Sequence, residues 1–299
     1  MSIESGKVRS NGIELFYDAR GPKDGQPLVF IMGLSAQMVF WPEPLVNQLA
    51  EQGYRVIRFD NRDVGLSTRI QGGRLLKPGA LISRSFLGMK IPAPYTLHDM
   101  VADTVGLLDA LDIERAHLVG ASMGGMIGQL TASRHHDRVS SLTSIMSGTN
   151  SRWLPPPKPS ALKALVAPGA KIKGEEDFIA FGLNMMKAMG GTLPQGDELT
   201  RQMFRESWQR GVYPRGVRQQ FTAVLATGDL TPHVKKIQCP TTVIHGSHDP
   251  LIRPAGGKAS ARHIPNARLE IIKGMGHDLP EPVLPRIAEL IADTARASR

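Results

Sequence analysis

The sequence predicts an α/β fold built on an open, mostly parallel sheet with helices on both faces. Short apolar runs alternate with longer helical patterns, and several runs are almost continuously apolar, as in strands buried on both faces of a parallel sheet. The runs span residues 13–17, 28–32, 56–59, 117–119, 142–146, 241–245 and 269–272. The length of 299 residues suits one large domain, or a core domain with a smaller insertion.

The individual elements carry their own signals. In residues 13–17 large apolar side chains share the run with Glu14, which favours a half-exposed hairpin at an edge of the sheet. Thr96 followed by Asp99 forms a variant of the capping box and predicts a helix start. We predict further helices over residues 126–133 and over residues 282–295, where a proline stands at the start.

One region breaks the alternation. Residues 149–236 contain no convincing strand, but helical patterns occur at 176–189, 198–210 and 215–226. We therefore expect a helical cap over residues 149–236, inserted into a core domain formed by residues 1–148 and 237–299. The long apolar segment 70–94 is expected to pack under this cap and to help wall a pocket, with contact to a membrane surface as the alternative.

Composition excludes several classes of protein. Hydrophobic residues make up 41% and charged residues 21%, as in ordinary soluble domains. The net charge is +9, but no run of five basic residues occurs, so we expect a generally basic surface and no nucleic-acid partner. Cys239 is the single cysteine, and we see neither a signal peptide nor a membrane span. These features predict a cytoplasmic location.

The motif Gly120-Ala121-Ser122-Met123-Gly124 carries the strongest chemical signal. The pattern G-x-S-x-G alone is weak, but here it follows a predicted strand and precedes a predicted helix, which is the setting that a nucleophile elbow needs. The sharp turn is expected to strain Ser122, while Gly120 and Gly124 give the clearance. The alternative is a structural turn with an inert serine.

A serine hydroxyl needs a base, and the base needs an orienting carboxylate. His277 lies in a glycine-rich loop after the last predicted strand, and Asp249 directly follows the run 241–245. Both lie at carboxyl ends of strands, where open α/β sheets place their sites. We predict a triad of Ser122, Asp249 and His277. The alternatives are a surface histidine and an Asp-Pro turn, and Asp278 is a poorer partner because it adjoins His277.

An oxyanion intermediate needs hydrogen-bond donors. We expect the backbone N–H groups of Met123, at a helix start, and of Leu34 to serve, with Gly33 allowing close approach of the backbone. A tight turn is the alternative role of Gly33. Gly33, Met38 and Trp41 are predicted to line the substrate pocket, although Met38 and Trp41 suit a plain core equally well.

Other polar groups have structural interpretations. Asp60, Arg62, Asp63 and Ser67 are expected to form a loop network below the site. The sequence His135-His136-Asp137 has no spacing typical of a metal site and predicts a helix end. Cys239 is expected to begin a buried strand. We predict neither a metal site nor a cysteine nucleophile.

With these residues in view, the chain resembles serine hydrolases of the α/β-hydrolase superfamily over nearly its whole length, and is similar to aclacinomycin methylesterase-like esterases. The landmarks are Met32-Gly33-Leu34, the run 58–67, Trp41-Pro42, the elbow at Ser122, Cys239-Pro240-Thr241, Asp249 and the Gly-Met-Gly-His sequence ending at His277. The resemblance implies the α/β-hydrolase fold with a helical cap and a triad that uses no metal and no cofactor. The family more often has histidine where this chain has Met32, a difference that leaves the backbone donors available.

The expected partner is therefore a small-molecule ester. We expect cleavage of a small to medium hydrophobic carboxylic ester or lactone through an acyl-enzyme. The same triad also suits perhydrolysis, carbon–carbon bond hydrolysis or acyl transfer. An alternative of another class is a ligand-binding receptor on a hydrolase fold. The sequence leaves the acyl and alcohol specificity open, and also the oligomeric state, a homo-oligomer included.

Overall fold

A computed structural model of the chain describes residues 3–73, 75–166, 172–194 and 196–298. Within these residues one sheet contains eight strands, arranged in the order β1-β2-β4-β3-β5-β6-β7-β8. The strands are β1 Glu4–Ser10, β2 Ile13–Arg20, β3 Gln26–Ile31, β4 Tyr54–Phe59, β5 Ala116–Ala121, β6 Val139–Ile145, β7 Thr241–Gly246 and β8 Arg268–Ile272. All neighbours from β4 to β8 run parallel, whereas β2 is antiparallel to β1 and to β4. The predicted mostly parallel sheet is confirmed.

Strand β1 has no counterpart among the predicted runs. Its sequence carries a single large apolar residue, Val8, so it shows no hydrophobic pattern of its own. It is held instead by antiparallel backbone pairing with β2, in which Val8 lies opposite Leu15. The predicted edge hairpin therefore exists, with β1 as its outer strand.

Helices cover both faces of the sheet. They are α1 Glu43–Glu51, α2 Pro78–Phe86, α3 Leu97–Ala110, α4 Met123–Arg134, α5 Pro159–Val166, α6 Glu175–Met189, α7 Asp197–Gln209, α8 Pro214–Thr227, α9 Thr231–Val234, α10 Pro254–His263 and α11 Leu284–Arg296. Helix α3 starts as predicted, since the N–H of Thr96 donates to the Asp99 carboxylate at 2.7 Å. No helix in the described ranges combines the length and apolar character that a bilayer crossing requires.

The core has two halves, one on each face of the sheet. Alternate strand residues point to opposite faces, so Leu118 belongs to one half and Val119 to the other. Helices α3 and α4 cover the first half, while α1 and α11 cover the second. This three-layer packing fixes the strand ends, from which the loops of the site emerge.

Between β6 and β7 the regular elements in the described residues are helices, α5 to α9. Three of them, α6, α7 and α8, occur where helices were predicted. Residues 167–171 and 195, which belong to the predicted cap, lie outside the described residues. The division of the chain into a core and a cap with limits at 149 and 236 stays a prediction.

The segment 70–94 contacts α8 of the predicted cap, but it is only partly buried. It contains α2, which packs against α8. Arg215 of α8 also donates to the carbonyl oxygen of Gly72 at 2.6 Å. Leu81 and Ile91 are buried, but four other large apolar side chains of the segment stay exposed. Arg74 lies outside the described residues.

The loop after β4 is a buried hydrogen-bonded network, as predicted. Arg62 forms two hydrogen bonds of 2.6 Å to the Asp103 carboxylate of α3, and both side chains are buried. The Asp60 carboxylate accepts hydrogen bonds from the N–H groups of Met38 and Leu66. The Asp63 carboxylate accepts from the N–H of Ile70 and from the hydroxyl of Tyr95. The hydroxyl of Ser67 donates to the carbonyl oxygen of Asp60 and accepts from the N–H of Phe16. These contacts tie the loop to β2, α3 and the residues after β3.

Replacing Arg62 with methionine tests how much this network stabilises the fold. Burial raises the pKa of Asp103, and Arg62 opposes that rise. The Arg62→Met variant leaves a buried carboxylate without its cation, so we expect the free energy of unfolding to fall by about 3–5 kcal/mol in urea titrations. The double variant Arg62→Met/Asp103→Leu should recover most of that loss. A single variant as stable as the parent would contradict the assignment.

Candidate active site

Ser122 lies at a strained turn between β5 and α4. Its backbone has φ 54° and ψ −119°, a left-handed region that side chains rarely adopt. The flanking glycines permit the turn. A Cβ at Gly120 would lie 2.2 Å from the carbonyl oxygen of Gly124, and a Cβ at Gly124 would lie 1.9 Å from that of Ile31 in β3. The predicted elbow and the predicted need for both glycines are confirmed.

Three distant loops bring Ser122, His277 and Asp249 together. The Nε2 atom of His277 lies 3.0 Å from the Oγ of Ser122, and its Nδ1 atom lies 2.8 Å from the Oδ2 of Asp249. The loops follow β5, β7 and β8, whose carboxyl ends meet at one edge of the sheet. The arrangement suits a proton transfer from the hydroxyl to an imidazole that a carboxylate orients.

Asp249 is buried, and its charge is satisfied. Its Oδ1 accepts hydrogen bonds of 2.9 Å from the N–H groups of both Leu251 and Ile252. Burial by itself would raise the pKa of Asp249, but the charge of His277 and the hydrogen bonds from His245 and His277 outweigh it and hold the pKa below its usual range. The carboxylate is therefore ionised at neutral pH.

A second histidine, His245, contacts the same carboxylate and was missed in the sequence. It is completely buried at the end of β7, with its Nε2 2.6 Å from the carbonyl oxygen of Ile252 and 3.3 Å from Oδ2 of Asp249. Because a carbonyl oxygen only accepts, Nε2 carries the proton. His245 lies at the end of a strand and Asp249 in the loop after it, so their spacing of four residues gives no helical signal for this contact.

The loop 33–37, which follows β3, packs directly on Ser122. A Cβ at Gly33 would lie 3.0 Å from the Cβ of Ser122 and 3.6 Å from its Oγ. In the described part of the chain, the N–H groups of Leu34 and Met123 have no protein acceptor. Both donors are therefore available beside the serine, where sequence reasoning expected an oxyanion hole.

Helix α8 holds the loop 33–37 from the other side. Ser35 has a left-handed backbone with φ 64°, and its N–H donates to the Oε1 of Gln220 at 2.8 Å. The Nε2 of Gln220 donates in turn to the carbonyl oxygen of Arg62 at 2.7 Å. No sequence pattern distinguishes Gln220 from its neighbour Gln219, so this contact was not predicted.

The loop that carries His277 is also held by residues from the helical region. The N–H of His277 donates to the carbonyl oxygen of Met189, and the N–H of Thr192 donates to that of Gly274, each at 2.8 Å. The backbones pass so closely that a Cβ at Gly276 would lie 2.3 Å from the nitrogen of Gly191. The end of α6 and the residues after it therefore brace the histidine.

The predicted pocket residues have different surroundings. Gly33 adjoins Ser122, as described above. Met38 is buried, and its N–H donates to Asp60 at 2.9 Å. Trp41 is fully buried with its ring 4.7 Å from that of Phe30, in the half of the core under α1 and α11. This packing favours the core alternative for Trp41, while a pocket role for Met38 stays a prediction.

The residues given structural roles behave accordingly. Helix α4 ends at Arg134, and His135 lies at its C-terminal cap. Asp278 accepts the N–H of Gly276 at 2.9 Å and so supports the loop that carries His277. Cys239 precedes β7, away from Ser122, and burial raises the pKa of its thiol to about 11.

Comparison with known proteins agrees with the fold. Residues 26–281 match the model of the alpha/beta hydrolase fold family. Rhodomycin D methylesterase from Streptomyces peucetius is 24% identical over 310 residues, which cover 97% of this chain and 98% of that protein. A non-heme chloroperoxidase from Streptomyces lividans is 27% identical over 284 residues, covering 90% of this chain and 91% of that protein. The solved structure of an esterase from Rhodococcus sp. ECU1013 covers both chains fully, with a TM-score of 0.75 and 22% identity.

The thiol of Cys239 offers a test of the packing just before β7. Its raised pKa leaves the thiolate about a hundredfold scarcer at pH 8 than in a free cysteine, so alkylation by iodoacetamide should be slow in the native protein and fast after unfolding. Mass spectrometry of both forms measures the rates. Rapid native labelling would show that the thiol is not protected as described.

Proposed function

The chain belongs to the alpha/beta hydrolase fold family, and we propose that it is a serine-dependent carboxylic ester hydrolase. Ser122 is the proposed nucleophile, His277 the base and Asp249 the carboxylate that orients the base. The observation that carries the proposal is the continuous chain of contacts through His277, 3.0 Å on the serine side and 2.8 Å on the aspartate side.

Acylation would begin when His277 accepts the proton of Ser122 as the Oγ attacks the carbonyl carbon of the ester. The negative charge that develops on the carbonyl oxygen would be held by the N–H groups of Leu34 and Met123, with help from the N-terminus of α4. His277 would then return the proton to the departing alcohol, which leaves the acyl group on Ser122.

Deacylation would repeat these steps with water. His277 would remove a proton from the water that attacks the acyl-enzyme, and Ser122 would regain its proton as the acid departs. Throughout, Asp249 would keep the Nδ1–H of the imidazole directed toward itself and stabilise the imidazolium. The low pKa of Asp249 supports this role, because a carboxylate that stays ionised can stabilise a cation next to it.

The proposed substrate is a small to medium hydrophobic carboxylic ester or lactone. The relative named a rhodomycin D methylesterase supports an ester substrate, since it aligns along nearly the whole chain. The helices between β6 and β7 support a covered site, because their residues contact both loops that flank Ser122.

Perhydrolysis is the second candidate, favoured by the relative named a non-heme chloroperoxidase. In this reaction hydrogen peroxide would replace water in the attack on the acyl-enzyme. The acyl carbon would form a bond to a peroxide oxygen, and its bond to Ser122 Oγ would break. His277 would take a proton from the peroxide and pass it to Ser122 as the peracid leaves.

A Ser122→Ala variant tests the proposal. The variant lacks the nucleophile, so we expect the hydrolysis of a short-chain nitrophenyl ester to fall by about 10⁴-fold or more, with stability nearly unchanged. A fluorophosphonate probe should label the parent at Ser122 alone. Ser133→Ala, which alters a buried serine at the far end of α4, is the matched control and should keep both turnover and labelling.

Retained turnover in purified Ser122→Ala would rule out the proposed nucleophile. Turnover of less than one equivalent per parent molecule would favour the ligand-binding receptor instead. Adding hydrogen peroxide and trapping the peracid in the same assay separates hydrolysis from perhydrolysis.

A further inference from the structure

Five large apolar side chains form an exposed patch at α2. The patch consists of Ile82, Phe86, Leu87 and Met89 together with Trp153, and these are exposed by 41, 72, 65, 47 and 82%. They are five of the nine exposed large apolar residues found in the described ranges. A folded domain rarely leaves such a cluster open to water unless another surface covers it.

Arg152 joins the two parts of the patch. Its guanidinium carbon lies 5.0 Å from the centre of the Trp153 ring, and its Nη1 lies 2.8 Å from where a Cβ of Gly88 would stand. Trp153 therefore neighbours the C-terminal end of α2, which buries only Leu81. The patch combines aromatic and aliphatic groups with an adjacent cation.

The two stretches of sequence that contain the patch carry charge of one sign. Residues 64–98 and 138–174, which contain the patch, hold eleven Lys and Arg and no Asp or Glu. The rest of the chain has a formal net charge of −2, so these two stretches account for the whole positive excess. The basic residues are spread too widely to form a run, which is why the sequence suggested only a generally basic surface. Two of them, Arg74 and Lys171, lie outside the described residues, and Arg138 forms an ion pair with Asp109.

We propose that the α2 patch binds the surface of an anionic lipid bilayer. Exposed Trp, Phe, Leu and Met enter the headgroup boundary, while Arg152 and the other Lys and Arg of these two stretches are attracted to anionic headgroups. A second copy of the chain is a poorer occupant, since a symmetric contact would bring the same cations together. Because α2 packs on α8, docking here sets the helices above Ser122 against the lipid and gives the site access to lipid-dissolved substrates.

Vesicle sedimentation of the full chain tests the proposal. The vesicles contain either phosphatidylcholine alone or equal parts of phosphatidylcholine and phosphatidylglycerol. We expect binding to the anionic vesicles that weakens as salt is added, and little binding to phosphatidylcholine. The triple variant Phe86→Ser/Leu87→Ser/Trp153→Ser should bind at least about tenfold more weakly.

The double variant Leu269→Ser/Ile271→Ser is the matched control, because it removes exposed apolar side chains from β8, outside the patch. It should bind like the parent, and circular dichroism should show that all variants are folded. The proposal is overturned if the parent does not bind anionic vesicles at low salt, or if the triple variant binds as well as the parent. Self-association that the triple variant abolishes, without vesicle binding, would assign the patch to a second copy.

A separate observation concerns Gln220, and this inference rests on the proposed function. Gln220 is completely buried, and its amide links the strained Ser35 to the carbonyl oxygen of Arg62. Ser35 directly follows Leu34, whose N–H is the proposed oxyanion donor. We infer that Gln220 is a positioning residue, which holds the loop 33–37 so that this donor faces the developing oxyanion.

Gln219 provides a matched control for Gln220. It is equally buried on the same helix, and its amide donates to the carbonyl oxygen of Ile70 and accepts from Arg215, so it does not contact the loop 33–37. We expect Gln220→Met to lower kcat by about 10- to 100-fold with little change in KM, because a displaced donor weakens binding of the transition state more than of the substrate. Gln219→Met should lose comparable stability but keep its kcat.

Affinity for a boronic acid, which mimics the tetrahedral intermediate, provides the readout that a purely structural role would not change. It should fall in Gln220→Met by about the same factor as kcat. Loss of stability with unchanged kcat and unchanged boronate affinity overturns the inference. Turnover by Ser122→Ala would overturn the proposed function itself, so the two failures are distinguishable.

Discussion

The close contact between the start of α4 and the end of β3 is the constraint on which the rest of the site depends. At Gly124 the two backbones leave no room for even a methyl group. This contact forces the sharp turn at Ser122, holds the serine in a left-handed conformation, and brings Gly33 against its side chain. A strained residue persists only where its surroundings determine its conformation, and here the sheet and the helix do so together.

The helices between β6 and β7 do more than cover the serine. Gln220 of α8 holds the loop 33–37, which packs on Ser122. Met189 at the end of α6 holds the loop of His277, and Arg210 forms an ion pair with the buried Asp60. Each contact joins this region to a loop at the carboxyl edge of the sheet. The geometry of the site is therefore set jointly by the sheet and the helical region. A change in the position of these helices would move the N–H donor of Leu34 and the imidazole of His277.

Asp249 and the loop after β4 illustrate how charged groups are kept satisfied beneath the site. Asp249 receives two backbone N–H groups on one oxygen and two histidines near the other, so a buried charge remains stable as an anion. The buried carboxylate of Asp103 is stabilised in another way, by its pairing with the cation of Arg62. The α2 patch is the opposite case, in which apolar groups face solvent beside the cation of Arg152.

The sequence by itself determined seven of the eight strands and the helices α3, α4, α6, α7, α8 and α11. It also determined the elbow and the candidates Ser122, Asp249 and His277, because hydrophobic periodicity and turn chemistry are local properties that neighbouring residues express. It missed β1, whose residues are held by a partner strand, and it missed Gln220 and His245. Only the tertiary structure decided these points, since contacts such as that of Gln220 with Ser35, 185 residues away, depend on how separate elements pack and leave no pattern along the chain.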